Sequence, residues 1–315
     1  MRRMMRKIRN VAIAAKKGIR LGRFANNLPE GNFINIVDHT EEESISSSHL
    51  KKVVDAIQIQ IDRDFLPKWG DTVIIPRENA PHLLVKMPTK LRISDELITP
   101  FVELGDTFPR EHPVNGAFGL HDATVKIQGN TAVASIFGFV DIAKIIKRNQ
   151  DWSITLSHEI LEILADPIPD SHPISDLDIP ENGLFHFITC KHLFGPDIEY
   201  LVEPCDPVHI LNYKINGIRV SDFVFPSYYS CGSSPFDAMR MISNPGQLAP
   251  VGYYSFRKVS RSGKGPLTST LFEKKDTKNG IKVVPTSGDA PHLIGVRAIP
   301  RWFIKRKNMR RYMNG

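Results

Sequence analysis

Apolar positions recur at helical spacing in two stretches of the chain. In the first, Val53, Val54, Ile57, Ile61 and Phe65 mark one face of a helix running from about His49 to Leu66. Ser47 or Ser48 can cap its start, and Pro67, Trp69 and Gly70 stop it. In the second, Ile154, Leu156, Ile160, Leu161, Ile163 and Leu164 surround a helix that Asp151 or Ser153 can cap and Pro167 ends. Apolar residues on nearly every side of that helix predict that it is largely buried.

Elsewhere the apolar runs are short and broken by turn residues, which predicts strands. They lie at Thr72–Ile75, His82–Met87 and Lys90–Ile93, then at Phe118–Lys126 and Thr131–Val140, joined over Gln128-Gly129-Asn130 as a hairpin. Further runs lie at Phe185–Thr189 and Ile198–Glu203. Asn216-Gly217 joins Tyr213–Ile215 to Ile218–Val220 in a second hairpin, with Asp222–Tyr229 extending its second arm. Residues 103–118, rich in Gly and Pro, read as a loop, and so does the acidic, Pro-rich stretch Pro169–Gly183. Residues 24–48 read as a linker with one short strand at Phe33–Val37, and periodicity weakens after Ser243. The expected layout is a basic tail and linker over 1–48, a compact domain over 49–258 and a basic extension over 259–315.

At 315 residues the chain can bury a sizeable core. Hydrophobic content of 41% and charged content of 24% belong to a soluble globular protein. No run reaches the roughly 18–20 apolar residues needed to span a bilayer. The formal charge of +7 hides an asymmetry: nine Lys or Arg and no acid over residues 1–29, and six over residues 301–315. Without these ends, 26 basic face 34 acidic residues, so the body is acidic. For the N-terminal stretch a solvated tail is the first reading. A basic amphipathic helix on nucleic acid or an anionic surface is the second. A secretory signal is the third, disfavoured because Val11–Ala15 is too short for its apolar centre. A cytoplasmic protein is therefore expected before a secreted one. Cys190, Cys205 and Cys231 form no disulfide framework by spacing.

The charged residues of the second helix change the picture most. Ser157–Pro167 reads S-H-E-I-L-E-I-L-A-D-P, so His158 and Glu162 are one turn apart on one face and can grip one metal ion. Glu159 stands beside them, where a base acting on a metal-activated water is wanted. A hydrolytic zinc site needs about three protein ligands and an open position. Candidates for the third ligand are Asp166, slightly over two turns beyond His158; Glu203 or Asp206 in the turn E-P-C-D; and His121 in G-L-H-D. Glu203 and Asp206 are preferred, because a strand end holds a ligand more rigidly than a helix end beside proline. Two carboxylates in place of histidines make the site harder, so zinc is the first expectation, with calcium or manganese as alternatives. A buried polar network without metal is the competing reading of the same residues. Cys205 reads as a small buried side chain before a ligand, and His186, His192 and His209 as packing or surface histidines.

The helix resembles the active helix of zincin metallopeptidases, with Glu162 where those have a second histidine. Gln58–Gly70, Ser157–Pro167, Glu199–Pro207, Val220–Tyr228 and the Gly252-Tyr253 region resemble a group of uncharacterised bacterial proteins over about residues 50–256. The S-H-E-x-x-E…D-P helix and the Glu203–Asp206 turn are also similar to the plant exordium, or phosphate-induced, proteins. That likeness implies one constellation of His158, Glu159, Glu162, Asp166, Glu203, Cys205 and Asp206. Together these features predict an α+β, zincin-like domain with a mixed sheet packed on the site helix and irregular basic termini. The expected function is a metal-dependent hydrolase, peptidase-like, acting on a peptide or other small substrate. Its rival is a non-catalytic protein of the same fold, whose acids hold a structural ion and whose basic ends tether it to nucleic acid, envelope or another protein.

Overall fold

The computed structural model describes residues 33–40, 45–75, 83–107, 117–128, 131–167, 198–200, 202–229, 233–258, 271–277, 280–285 and 299–300. The two basic ends, the Pro169–Gly183 loop, the Phe185–Thr189 run, Cys190 and Cys231 lie outside them.

The elements are β1 (Phe33–Asp38), α1 (Ser47–Gln60), β2 (Thr72–Ile75), β3 (Leu83–Lys86), β4 (Lys90–Ile93), β5 (Phe101–Gly105), β6 (Gly119–Gln128) and β7 (Thr131–Asp141). There follow α2 (Ile142–Lys147), α3 (Trp152–Ala165), β8 (Ile198–Tyr200), β9 (Asn212–Ile215), β10 (Ile218–Ser221), α4 (Pro226–Tyr229), β11 (Tyr253–Lys258), β12 (Leu271–Thr277), β13 (Gly280–Pro285) and β14 (Ile299–Pro300). The architecture is α+β. Its main sheet has the order β4-β1-β5-β7-β6. The sheet is mixed: β4, β1, β5 and β7 run parallel, and β6 closes the edge antiparallel to β7. Helix α3 lies against β5, β6 and β7 on one side and against β10 on the other, while α1 packs on β4 and the β9–β10 hairpin.

Two expectations about this sheet are corrected. The strand expected at Phe33–Val37 forms as Phe33–Asp38, but as an inner strand of the sheet, hydrogen-bonded on both sides, rather than within a linker. Ile34, Asn35, Ile36 and Val37 are all buried in succession, the pattern of a parallel strand covered on both faces. Phe101–Gly105 begins a segment read as loop from 103, yet it forms β5 between β1 and β7. Val102 and Leu104 are fully buried, but the apolar run is short, interrupted by Glu103 and followed by Gly105. Its partners are distant in sequence, so nothing local announces it.

The first helix begins at Ser47, two residues before the expected start, and is capped by Ser46 instead of Ser47 or Ser48, the Ser46 hydroxyl accepting from the His49 amide. It also passes Pro67 and ends at Trp69. The turn Ile61–Phe65 widens, and the Leu66 amide donates to the carbonyl of Ile61, five residues back. Pro67 brings no N–H and would crowd the carbonyl four residues before it, so a widened turn lets the helix continue. Gly70 at φ 75 then ends the helix in the left-handed region.

The β9–β10 hairpin over Asn216-Gly217 forms as read, with both turn residues at positive φ. Asp222–Tyr229 does not extend it: Val224 bridges to Asp237, and Pro226–Tyr229 is a helical turn. Past residue 258, where an irregular extension was expected, β12 and β13 add to β11 in a four-stranded antiparallel sheet with β8. No helix among the described residues is long and apolar enough to cross a membrane.

Candidate metal centre

Helix α3 starts at Asp151, whose carboxylate accepts from the Ser153 amide. One face of the helix is fastened to β10 by serines a turn apart. Ser153 donates to the Arg219 carbonyl (2.6 Å), and the Ser157 hydroxyl accepts from the buried Ser221 amide (2.6 Å). This fixes the rotation of the helix, so that Glu159 and Glu162 turn towards His121 on β6, and Glu162 reaches His158 as well.

The close approach of helix and sheet edge depends on Gly119. A Cβ there would collide with the Glu159 carboxylate and with Thr155 Cγ2. His121 follows two residues later on the same strand face. The other wall is the turn after Val202. Cys205 is fully buried and its thiol donates to the His158 carbonyl (3.8 Å), while the Tyr229 hydroxyl donates to the Glu203 carbonyl (2.7 Å). Gly252 lets the next strand approach, since a Cβ there would strike the Pro207 carbonyl oxygen. Tyr253 thereby places its hydroxyl on Asp206.

Six side chains converge. His158 Nε2 is 3.2 Å from Glu162 Oε1 and 3.4 Å from Asp206 Oδ1. His121 Nδ1 is 3.4 Å from both Glu159 Oε2 and Glu162 Oε2, and its Nε2 is 3.6 Å from Glu203 Oε2. Three sets of ligand atoms approach within 4.8 Å of one another: His158–Asp206–His209, His158–Glu162–Cys205 and His121–Glu159–Glu162. Asp206 thus joins His158, whereas Glu203 faces His121. Asp166 caps the helix end, its amide donating to the Glu162 carbonyl, and stands in none of the three sets.

The spacing is compatible with a cation. N–H···O bonds cluster near about 2.9 Å. Neighbouring ligands of a tetrahedral zinc, each about 2.0–2.2 Å from the metal, stand about 3.3–3.5 Å apart. Most of the imidazole–carboxylate separations match the second figure. In addition, His121 Nε2, Glu162 Oε1, Glu203 Oε2 and His209 Nδ1 are buried without a hydrogen-bond partner. Such atoms are costly unless something else compensates them.

Burial opposes a charge on either imidazole, yet the surrounding carboxylates, Glu203 first for His121 and Glu162 first for His158, hold both protons well above the usual histidine range. Burial alone would raise Glu162, but the two imidazoles hold it down at about 2. Asp206 is pushed up to about 7 by burial and then by the Glu162 carboxylate, and burial also lifts Glu159 and Glu203. The cluster has more acid than base, and binds protons where a cation is absent.

His209 and Tyr253 were not legible as site residues. His209 lies three residues after Asp206 across a 3-10 turn, and its ring stands 5.8 Å from that of His158. Burial and the neighbouring His158 push its proton down to about 4, which leaves a neutral imidazole able to ligate. The spacing D-P-V-H was the available signal. No family model, curated protein or solved structure matches this chain.

Proposed function

We propose that the chain is a metal-dependent hydrolase of peptidase type, with His158, Glu162 and Asp206 as ligands and Glu159 as general base. The carrying observation is the separation of His158 Nε2 from Glu162 Oε1 and Asp206 Oδ1, 3.2 and 3.4 Å, in a buried setting where Glu162 Oε1 has no hydrogen-bond donor. His209 stands in reach of the same position. The likeness of the His158–Glu162 helix to that of zincins supports the same reading. A zinc-class cation supplies Lewis acidity, which polarises a carbonyl and lowers the pKa of a bound water to about 7.

The chain's own groups do the rest. Glu159, raised by burial towards neutrality, accepts the proton of a water attacking the substrate carbonyl. It returns that proton to the leaving nitrogen as the C–N bond breaks. His121 and Gly119 hold the Glu159 carboxylate in place, and Tyr253 holds Asp206. Asp166 and Glu203, also expected as ligands, surround this group as further acids, Glu203 through His121.

Turnover of a peptide library by zinc-loaded protein tests the reading. Glu159→Gln should retain the metal held at His158 and lose roughly 10²–10⁴-fold in rate, the usual contribution of a general base. Undiminished turnover in that variant removes Glu159 from the role.

One observation favours a second reading, a structural ion. His158, Glu159 and Glu162 are only 9%, 5% and 3% exposed. In that case metal loss unfolds the protein and no substrate is turned over, and function resides in the basic ends. Removing 1–29 and 301–315 separates the two: turnover survives under the hydrolase reading, and binding to nucleic acid or an anionic surface is lost under the other.

A further inference from the structure

The carboxylate of Glu162 faces two ways. Its Oε1 stands 3.2 Å from His158 Nε2, and its Oε2 stands 3.4 Å from His121 Nδ1. Glu162 belongs to two sets of converging ligand atoms, one with His158 and Cys205, the other with His121 and Glu159. In the second set His121 Nδ1 is also 3.4 Å from Glu159 Oε2. Its residues are all buried, and the second nitrogen of the His121 ring points at Glu203 Oε2, 3.6 Å away.

That last contact has the form of a carboxylate–histidine–metal relay. A carboxylate that takes the proton of one ring nitrogen leaves the other as a lone pair and orients the ring. His121 Nε2 and Glu203 Oε2 are both buried and without a hydrogen bond in this state, so the pair is positioned but not closed. Closing it would leave Nδ1 as a lone pair facing Glu159 and Glu162.

From this we infer that the chain binds two divalent cations, with Glu162 as the bridging carboxylate: one between His158, Asp206 and Glu162 Oε1, the other between His121, Glu159 and Glu162 Oε2. The inference rests on the first position proposed above and adds the second. A carboxylate spanning two cations is a recurring arrangement in two-metal hydrolytic sites. Occupancy of the second position engages Glu159, so that carboxylate takes protons in the one-cation form and ligates in the two-cation form. The second cation therefore competes with the base.

Zinc titration of the full-length protein, followed by removal of free metal and elemental analysis, tests the inference. Wild type should retain about two equivalents, His121→Gln about one, and His158→Ala less than wild type. A wild type that saturates at one equivalent, lost in His158→Ala and untouched in His121→Gln, overturns the second position and leaves the hydrolase reading standing. No bound zinc in wild type overturns both. Manganese loading of wild type provides a readout that needs no variant to fold. Two ions sharing Glu162 should give an exchange-coupled resonance spectrum, and an isolated-ion spectrum at every loading contradicts the bridge.

Discussion

Glu159 and Gly119 depend on each other at the residue scale. The carboxylate occupies the space that any side chain at 119 would claim, with Thr155 closing the other side. Gly119→Ala should therefore cost about 1–3 kcal/mol through overpacking. It should also displace the Glu159 carboxylate, so turnover falls while metal bound at His158 persists. Unfolding by urea reads the first effect and metal content the second; an unchanged midpoint contradicts the packing. Ser157 acts differently, since its neighbour His158 is the proposed ligand and Ser157 only sets the helix rotation. Ser157→Ala leaves the buried Ser221 amide without its acceptor, at a cost of about 1–3 kcal/mol. The H-E-x-x-E spacing made His158, Glu159 and Glu162 legible in sequence, because helical geometry alone brings them together. His121 was legible as one of several candidates for a third ligand. Its place depends on the register of β6 on β7, where it pairs with Gly138, and that register is a non-local fact.

The turn between β10 and α4 shows how buried acids organise an element. Asp222 accepts from the amides of Phe223 and Met239, and Asp237 accepts from those of Met241 and Ile242. Burial first, and then the facing Asp237 carboxylate, push Asp222 up to about 8 from its ordinary 3.8. The folded chain thus keeps a proton that the unfolded chain releases, so this contribution is full below about pH 4 and is lost as pH rises through about 8. Asp222→Asn, which carries its own donors, should flatten the slope of stability across that window. An unaltered slope in denaturant titrations at pH 5 and pH 8.5 would place the proton elsewhere. Apolar periodicity announced both long helices and both hairpins, since their partners are near in sequence. β5 escaped notice because five residues hold too little pattern, and because its position between two parallel strands is set by distant partners. The sheet formed by β11, β12 and β13 lies in a stretch rich in Lys and Gly whose apolar alternation is weak.

Over the whole molecule, the centre joins parts of the chain that lie far apart in sequence. His121 comes from the sheet edge, His158 and Glu162 from α3, Asp206 and His209 from the turn after β8, and Tyr253 from β11. A cation held by the folded form and not by the unfolded chain stabilises in proportion to RT ln(1 + [M]/Kd), about 2.7 kcal/mol at a hundredfold excess over Kd. Chelation should accordingly lower the midpoint of thermal unfolding by several degrees, and added zinc should restore it. A midpoint indifferent to chelator and zinc contradicts a cation linking these segments. The acidic body and basic ends, by contrast, predict only salt-sensitive surface contacts, and trimming 1–29 and 301–315 should leave metal content unchanged.

The most direct measurement is elemental analysis of the purified full chain beside His158→Ala, with circular dichroism on both. The account predicts stoichiometric transition metal, zinc first, in the wild type and its loss from a folded variant. Metal absent from a folded wild type, or retained in full by the variant, would contradict it and leave His158, Glu162 and Asp206 as a buried network of protons and carboxylates.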